Sequence, residues 1–261
     1  MIGEWRKVRA PITDVKAPHC FDTPIPHGYL CLTLNYNTVV LFAPVLLFSV
    51  IAHEYAHGYA ALKQGDTTAL SLGRLTWNPL KHIDPFMTII LPLLLFVLHG
   101  PILGGAKPVP VNPRNYRKFK QGDIIVSLAG VATNLLIALI SAGLIAIFGL
   151  LGQVVPALAD PLGILQAMGC WSVLINIELL LFNLLPIPPL DGSHVMKYIL
   201  PPAWSLQYQR LGFYGIIILV ILLQTRLLGF WLAPGLAAYG ALVRHQMYLP
   251  SAGPWLPPLF F

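Results

Sequence analysis

Charged side chains are scarce in this chain. Of its 261 residues, 10% are charged and 56% are hydrophobic, and the mean hydropathy is +0.71. A soluble domain carries roughly 25% charged residues, so these are too few to cover a surface that faces water. The scarcity excludes an ordinary soluble globular protein.

Cysteine and secretory features are also sparse. The three cysteines are scattered and odd in number, which indicates neither a disulfide framework nor a CxxC metal site. The N-terminus does not resemble a signal peptide, because no apolar run directly follows its basic residues. The net charge is +6 without a nucleic-acid-binding pattern. In an apolar chain this surplus is typical of cytoplasmic loops near anionic lipid, so we expect the lipid bilayer and not nucleic acid as a partner.

Long uncharged runs are what the chain has in abundance. Ile124 to Leu151 carries no charge, Thr38 to Leu62 carries only Glu54, and Pro161 to Pro189 carries only Glu178. Crossing a hydrocarbon core takes ~18–20 apolar residues, and backbone groups in lipid must be satisfied within a helix or a closed barrel. The runs lack the period-2 alternation of a barrel. They predict an all-α polytopic bundle of about five to six spanning or re-entrant segments, with a small strand or loop insertion after the first.

The polar and basic stretches that separate these apolar runs predict how the chain is divided into segments. We expect an N-terminal arm over 1–36, a membrane domain over 37–245 and a C-terminal tail over 246–261. Helices are predicted over 38–62, 123–151 and 165–185, followed by a hairpin around Arg226. Loops 63–82 and 107–122 are basic whereas loop 152–164 has no Lys or Arg, so the basic loops are expected on the cytoplasmic side. That favours a re-entrant hairpin over 85–106, with a single span as the alternative.

Two histidines and a glutamate interrupt the first apolar run, in the motif His53-Glu54-Tyr55-Ala56-His57. Residues four apart share a helix face, so His53 and His57 can bind one Zn²⁺ at ~2.0–2.1 Å each. Glu54 lies ~100° round the helix, where it can take a proton from a water on the metal. A chance match is the alternative, but ionisable groups inside an apolar span are costly and point to function. The motif predicts one zinc per chain, with Glu54 as the general base.

A catalytic zinc needs a third protein ligand and an open fourth position. The best candidate is Asp191, in the stretch NLLPIPPLDGSH over 183–194. Its three prolines forbid a regular helix, and irregular backbone at membrane depth is tolerated only where it lines a cavity or is buried in protein. We expect a rigid, non-helical segment to present the Asp191 carboxylate to the metal. An ordinary loop aspartate at a membrane boundary is the alternative.

The stretches HEYAHGYAA and FNLLPIPPLDGS together resemble the motif pair of the site-2 protease family, the intramembrane zinc metalloproteases. GDTTALSLGRLTWNPLKHIDP and AKPVPVNPRN resemble its short bacterial type, which has no PDZ domain. The resemblance implies that His53, His57 and Asp191 hold zinc, and that Glu54 is the catalytic base of an endopeptidase. It also implies cleavage of substrates with a transmembrane segment, at the bacterial inner membrane. The motif lies toward the C-terminal end of the first run, next to basic loop 63–82, so the active site is expected toward the cytoplasm.

Two asparagines carry further implications of the resemblance. Asn183 and Asn134 correspond to residues that help hold the substrate strand or the oxyanion. The chain departs from the family pattern nearby, with Val131 where proline is expected and Gly105 where tryptophan is common. These departures bear on substrate handling and not on the metal ligands.

Two other functions compete with a protease. A catalytically idle membrane scaffold could keep the metal site for stability, but the intact Glu54 argues against it. An ion transporter would use the same ionisable residues, but its expected inverted repeats are absent from the sequence. His82, His99 and His194 are expected to be structural, and Trp77, Trp171 and Trp231 to be interfacial anchors.

Overall fold

The computed structural model of the protein describes residues 36–90, 93–94 and 105–257. Nearly all of the predicted N-terminal arm and His99 therefore lie outside the described residues, as does much of the stretch 85–106. The division into arm, membrane domain and tail stays a prediction.

The regular structure of the described residues is helical, and no strand occurs among them. The helices, in chain order, are α1 (Tyr36–Gln64), α2 (Thr68–Ser71), α3 (Phe119–Val154), α4 (Ala159–Asn183), α5 (Asp191–Ile199), α6 (Pro202–Arg210), α7 (Gly215–Leu223) and α8 (Arg226–Val243). Short 3₁₀- or π-helical segments occupy Pro79–His82, Pro85–Ile90, Pro113–Asn115, Pro156–Leu158, Leu211–Tyr214 and Pro250–Trp255.

Five segments of the described chain are long and apolar enough to cross a membrane. They are Val40–Gln64, Phe119–Val154, Pro156–Asn183, Pro202–Leu223 and Arg226–Val243. This confirms the predicted all-α polytopic bundle. α1 ends where Gly65 takes a left-handed φ of 109°, the glycine stop that the sequence indicates. α3 and α4 each start several residues earlier than predicted.

Among the described residues, the insertion between α1 and α3 consists of the short helix α2, brief helical segments and loop. Lys107 N–H donates to the His82 carbonyl, and Gly105 N–H donates to the Met87 carbonyl at 3.1 Å. The Thr88 hydroxyl donates to the Gly105 carbonyl at 2.7 Å. Residues 88 and 105 therefore lie together, and the choice between a re-entrant hairpin and a single span over 85–106 stays a prediction.

The core of the bundle lies where α3 and α4 pack along each other and against α1. Trp171 of α4 is fully buried there, and its indole N–H donates to the Trp255 carbonyl at 3.0 Å. The prediction of an interfacial anchor at Trp171 is wrong, because residues after α8 fold back and cover the ring. Trp77 is half exposed and stacks on Tyr55 of α1.

Candidate metal centre

The two motif histidines lie on one face of α1, as their spacing predicts. His53 is buried and His57 nearly so, and their Nε2 atoms are 3.0 Å apart. The His57 Nδ1–H donates to the Val126 carbonyl of α3 at 2.7 Å. This bond places the lone pair of His57 on Nε2, the atom that faces His53.

Gly130 of α3 supplies the close approach that the histidines need. A Cβ at this position would lie 2.5 Å from His53 Cε1 and 2.6 Å from His57 Nε2. No side chain fits in that space, so the backbone of α3 itself forms one wall of the centre.

Asp191 is brought to the histidines by the proline-rich turn that follows α4. Its Oδ2 lies 3.2 Å from His53 Nε2 and 3.3 Å from His57 Nε2. Gly192 allows this turn to close, because a Cβ there would lie 2.3 Å from the Leu184 carbonyl oxygen. The sequence expectation of a non-helical position is wrong in detail. Residues 184–190 form the turn, and Asp191 is the first residue of α5.

The three ligand atoms have the spacing that zinc requires. At Zn–ligand distances of ~2.0–2.1 Å, two corners of a tetrahedron are about 3.3 Å apart. The observed separations are 3.0, 3.2 and 3.3 Å. Two imidazole nitrogens and a carboxylate oxygen are ordinary zinc ligands, and a fourth corner remains for water or substrate. His53, His57 and Asp191 thus fit a catalytic zinc, and this combination is the group of the described residues suited to a metal ion.

Glu54 is held beside the centre by the insertion. Its Oε2 accepts the Val109 backbone N–H at 2.8 Å. This bond orients the Glu54 carboxylate. The loop that carries Val109 therefore helps to fix the orientation of the predicted base, Glu54.

Asp66 anchors that same loop to the end of α1. Its carboxylate accepts the Asn112 backbone N–H at 2.6 Å, the Asn115 side-chain amide at 2.8 Å and the Thr68 hydroxyl. Burial acts to raise the pKa of the Asp66 carboxyl, but these hydrogen bonds hold that pKa below its ordinary value.

The two asparagines named from the family resemblance lie in different settings. Asn134 is one turn beyond Gly130 on α3 and fully buried, and neither its amide nitrogen nor its carbonyl oxygen has a partner among the described residues. Asn183 is the last residue of α4, and its amide donates to the Leu179 carbonyl at 2.9 Å. Their roles toward a substrate stay predictions.

Three groups at the centre were missed by sequence reasoning. The Val109 N–H and the Val126 carbonyl are backbone groups, and the residue type at a position does not predict their role. Gly130 is one of 22 glycines in the chain, and its role follows only from the crossing of α1 and α3.

His82 is buried with Nε2 2.9 Å from the Thr76 carbonyl, the structural role expected of it. At Gly105, where tryptophan is common, a Cβ would meet open space.

The chain is similar in sequence to a protease family and to relatives named as zinc metalloproteases. The family model described as peptidase family M50 matches residues 41–223. A relative from Bacillus subtilis, named "Putative zinc metalloprotease YwhC", is 39% identical over 193 residues, covering 74% of this chain and 84% of the relative. A relative from Mycolicibacterium smegmatis, named "Putative zinc metalloprotease Rip2", is 32% identical over 209 residues, covering 79% of this chain and 75% of the relative. No solved structure matches the chain at a significant level.

Proposed function

The chain belongs to peptidase family M50, the site-2 protease family, and from that premise we propose that it is an intramembrane zinc endopeptidase. Its substrates in this proposal are proteins with a transmembrane segment, cut inside or near the bilayer. The observation that carries the proposal is the convergence of His53, His57 and Asp191, beside Glu54, at the C-terminal part of a membrane-crossing helix.

The residues of the centre divide the chemistry among themselves. Zinc, when bound, supplies a Lewis acid that activates water for attack on a peptide carbonyl. Glu54 takes the proton of the attacking water on Oε1 and delivers it to the leaving amine nitrogen. The Val109 N–H keeps the Glu54 carboxylate aimed during both transfers, and the Val126 carbonyl keeps the His57 ring in its ligand orientation.

A buried amide completes the proposed site. A peptide carbonyl gains negative charge as it is attacked, and preorganised donors in a dry site stabilise that charge. Asn134 is buried with an amide free of partners among the described residues, which suits it to this task. Asn183 lies at the end of α4, where its amide is expected to pair with the unwound backbone of the substrate.

The helix ends agree on where the site lies. The histidines are near the C-terminal end of α1, Val126 and Gly130 are near the N-terminal end of α3, and Asp191 follows the C-terminal end of α4. The first two of these ends border the basic loops 63–82 and 107–122, and the contacts of Asp191 with the histidines place the third end on the same side. By the positive-inside rule this side is cytoplasmic. We therefore propose a bacterial inner membrane location with the active site toward the cytoplasm.

Cleavage of a single-span reporter tests the proposal. The full chain and its Glu54→Gln variant are each co-expressed with a tagged protein that crosses the membrane once. We expect the wild type to release a shortened fragment and Glu54→Gln to release none, because the amide cannot accept the proton. Zinc content should be equal in the two proteins.

Asp160→Asn is the matched control, since Asp160 is an exposed acid at the start of α4. It should cleave as the wild type does. Equal cleavage by wild type and Glu54→Gln would reject Glu54 as the base. A zinc-loaded wild type that cleaves no single-span reporter would favour the idle scaffold.

A further inference from the structure

The third metal ligand sits at the start of a short helix, whose orientation therefore decides where the carboxylate lies. α5 has nine residues, and Asp191 is the first. Residues 191, 194 and 198 follow at steps of three and four, so they share one face of α5. The face that presents Asp191 to the histidines also presents His194 and Tyr198 to α3.

One buried carboxylate of α3 binds that face. Asp123 is 2% exposed. Its Oδ2 lies 2.6 Å from Lys197 Nζ and accepts the Tyr198 hydroxyl at 2.9 Å, and its Oδ1 lies 3.3 Å from His194 Nδ1. α5 is thus tied at two places, by the proline-rich turn at its start and by Asp123 one to two turns later.

Asp123 also shares a face of α3 with the groups that set the histidines. Residues 123, 126 and 130 are spaced by three and four, so the carboxylate, the Val126 carbonyl and Gly130 lie along one side of the helix. Val126 orients His57 and Gly130 walls both imidazoles. One side of α3 therefore aligns the two ligands of α1 with the single ligand of α5.

Stability alone is a weak reason for this cluster. A buried ion pair gains little net free energy over well-packed apolar side chains, because both charges must leave water. Orientation is a better reason, since a carboxylate bound by three side chains defines how α5 sits on α3.

From this arrangement we propose that Asp123 is a positioning residue for Asp191: it fixes α5 on α3 so that the Asp191 carboxylate reaches the zinc ligand position. The inference rests on the metal centre of the proposed function. It does not depend on the substrate, because its readout is metal binding and not cleavage.

A double-mutant cycle on zinc affinity tests the proposal. The full chain is purified in detergent, stripped of metal and titrated with buffered zinc as wild type, Asp123→Asn, Asp191→Ala and the double variant. We expect Asp123→Asn to lower zinc affinity about tenfold, as for residues that orient a ligand. The double variant should bind zinc as weakly as Asp191→Ala and no more weakly, because Asp123 acts through Asp191.

A milder variant protects the test against misfolding. Tyr198→Phe removes one hydroxyl from the cluster and should lower zinc affinity about threefold, an effect that should vanish in the Asp191→Ala background. The visible spectrum of the cobalt-loaded protein should change in Asp123→Asn, whereas Asp160→Asn should match the wild type in both measurements.

Two results would overturn the assignment. One is additive losses in the Asp123→Asn/Asp191→Ala and Tyr198→Phe/Asp191→Ala double variants, which would mean that the cluster acts on general stability. The other is wild-type zinc affinity and an unchanged cobalt spectrum in a folded Asp123→Asn protein.

Discussion

The membrane bundle contains two buried polar regions of opposite character. In the serine–asparagine network, formed by Ser49, Ser141, Ser172 and Asn176, the side chains bind one another. Asn176 donates to Ser49 Oγ at 2.8 Å, and Ser141 donates to Ser172 Oγ at 2.7 Å. The network links α1, α3 and α4, and its one buried atom without a partner among the described residues is the Asn176 carbonyl oxygen.

The ligands of the metal centre lie within 3.0–3.3 Å of one another, but on the same two helices, α1 and α3, other buried polar atoms have no partner in the part of the chain that the structure describes. His53 Nδ1 and both side-chain polar atoms of Asn134 are buried without a partner among the described residues. Buried polar groups left unpaired cost roughly 1–3 kcal/mol each, and they persist where a ligand or water can satisfy them. The paired side chains of the serine–asparagine network hold three helices together, whereas the unpaired atoms of His53 and Asn134 are available to a ligand or water.

The largest effect is expected from a substitution at Gly130, the position where the backbone of α3 lies against the two histidines. Gly130→Ala would place a methyl group 2.5–2.6 Å from the two imidazoles, so the rings must move and the ligand triangle must open. We expect zinc affinity to fall about a hundredfold, measured by titration of the purified protein. Gly143→Ala on the same helix meets nothing within 4 Å and should bind zinc normally. Equal affinities in the two variants would contradict the close approach.

Two asparagine-to-leucine changes compare the serine–asparagine network with Asn134 by their effects on stability, zinc affinity and cleavage. Asn176→Leu removes paired hydrogen bonds and should lower thermal stability by about 1 kcal/mol, with zinc affinity unchanged. Asn134→Leu removes no pair among the described residues, so it should leave thermal stability equal or higher while reporter cleavage falls at least about tenfold. Reversed outcomes, with Asn134→Leu the less stable protein, would assign Asn134 to packing.

The smallest effect is expected outside the spans, at Asp66. The pKa of its carboxyl is held below the ordinary value in the folded protein. Its contribution to stability is therefore complete above the unfolded pKa of about 3.9 and is lost as the pH falls through the folded pKa. In zinc-free protein, the gap in thermal midpoint between wild type and Asp66→Asn should shrink as the pH falls below about 3.9. A gap that stays constant would show that Asp66 acts without its charge.

Sequence reasoning reached the metal ligands because their chemistry is local. The i, i+4 spacing of His53 and His57 implies a shared face in any helix, and the prolines before Asp191 announce an interruption wherever they lie. It went wrong where packing decides. Trp171 has the composition of an interfacial anchor, but the segment containing Trp255 covers it. Asp191 was expected on irregular backbone, yet helix α5 starts at that residue, just past the prolines.

The sequence by itself determined that this chain belongs in a membrane, that two imidazoles and a carboxylate are available for zinc, and that a glutamate stands beside them. Membrane placement follows from composition, and the histidines and glutamate follow from spacing along one helix. The carboxylate follows from the proline-rich stretch before Asp191 and from the family resemblance. Only the tertiary structure decided which groups aim these side chains: the Val126 carbonyl, the Val109 N–H, the bare Cα of Gly130 and the carboxylate of Asp123. These groups lie tens of residues in the sequence from the side chains that they orient. Such partnerships depend on how helices cross, which no local pattern encodes.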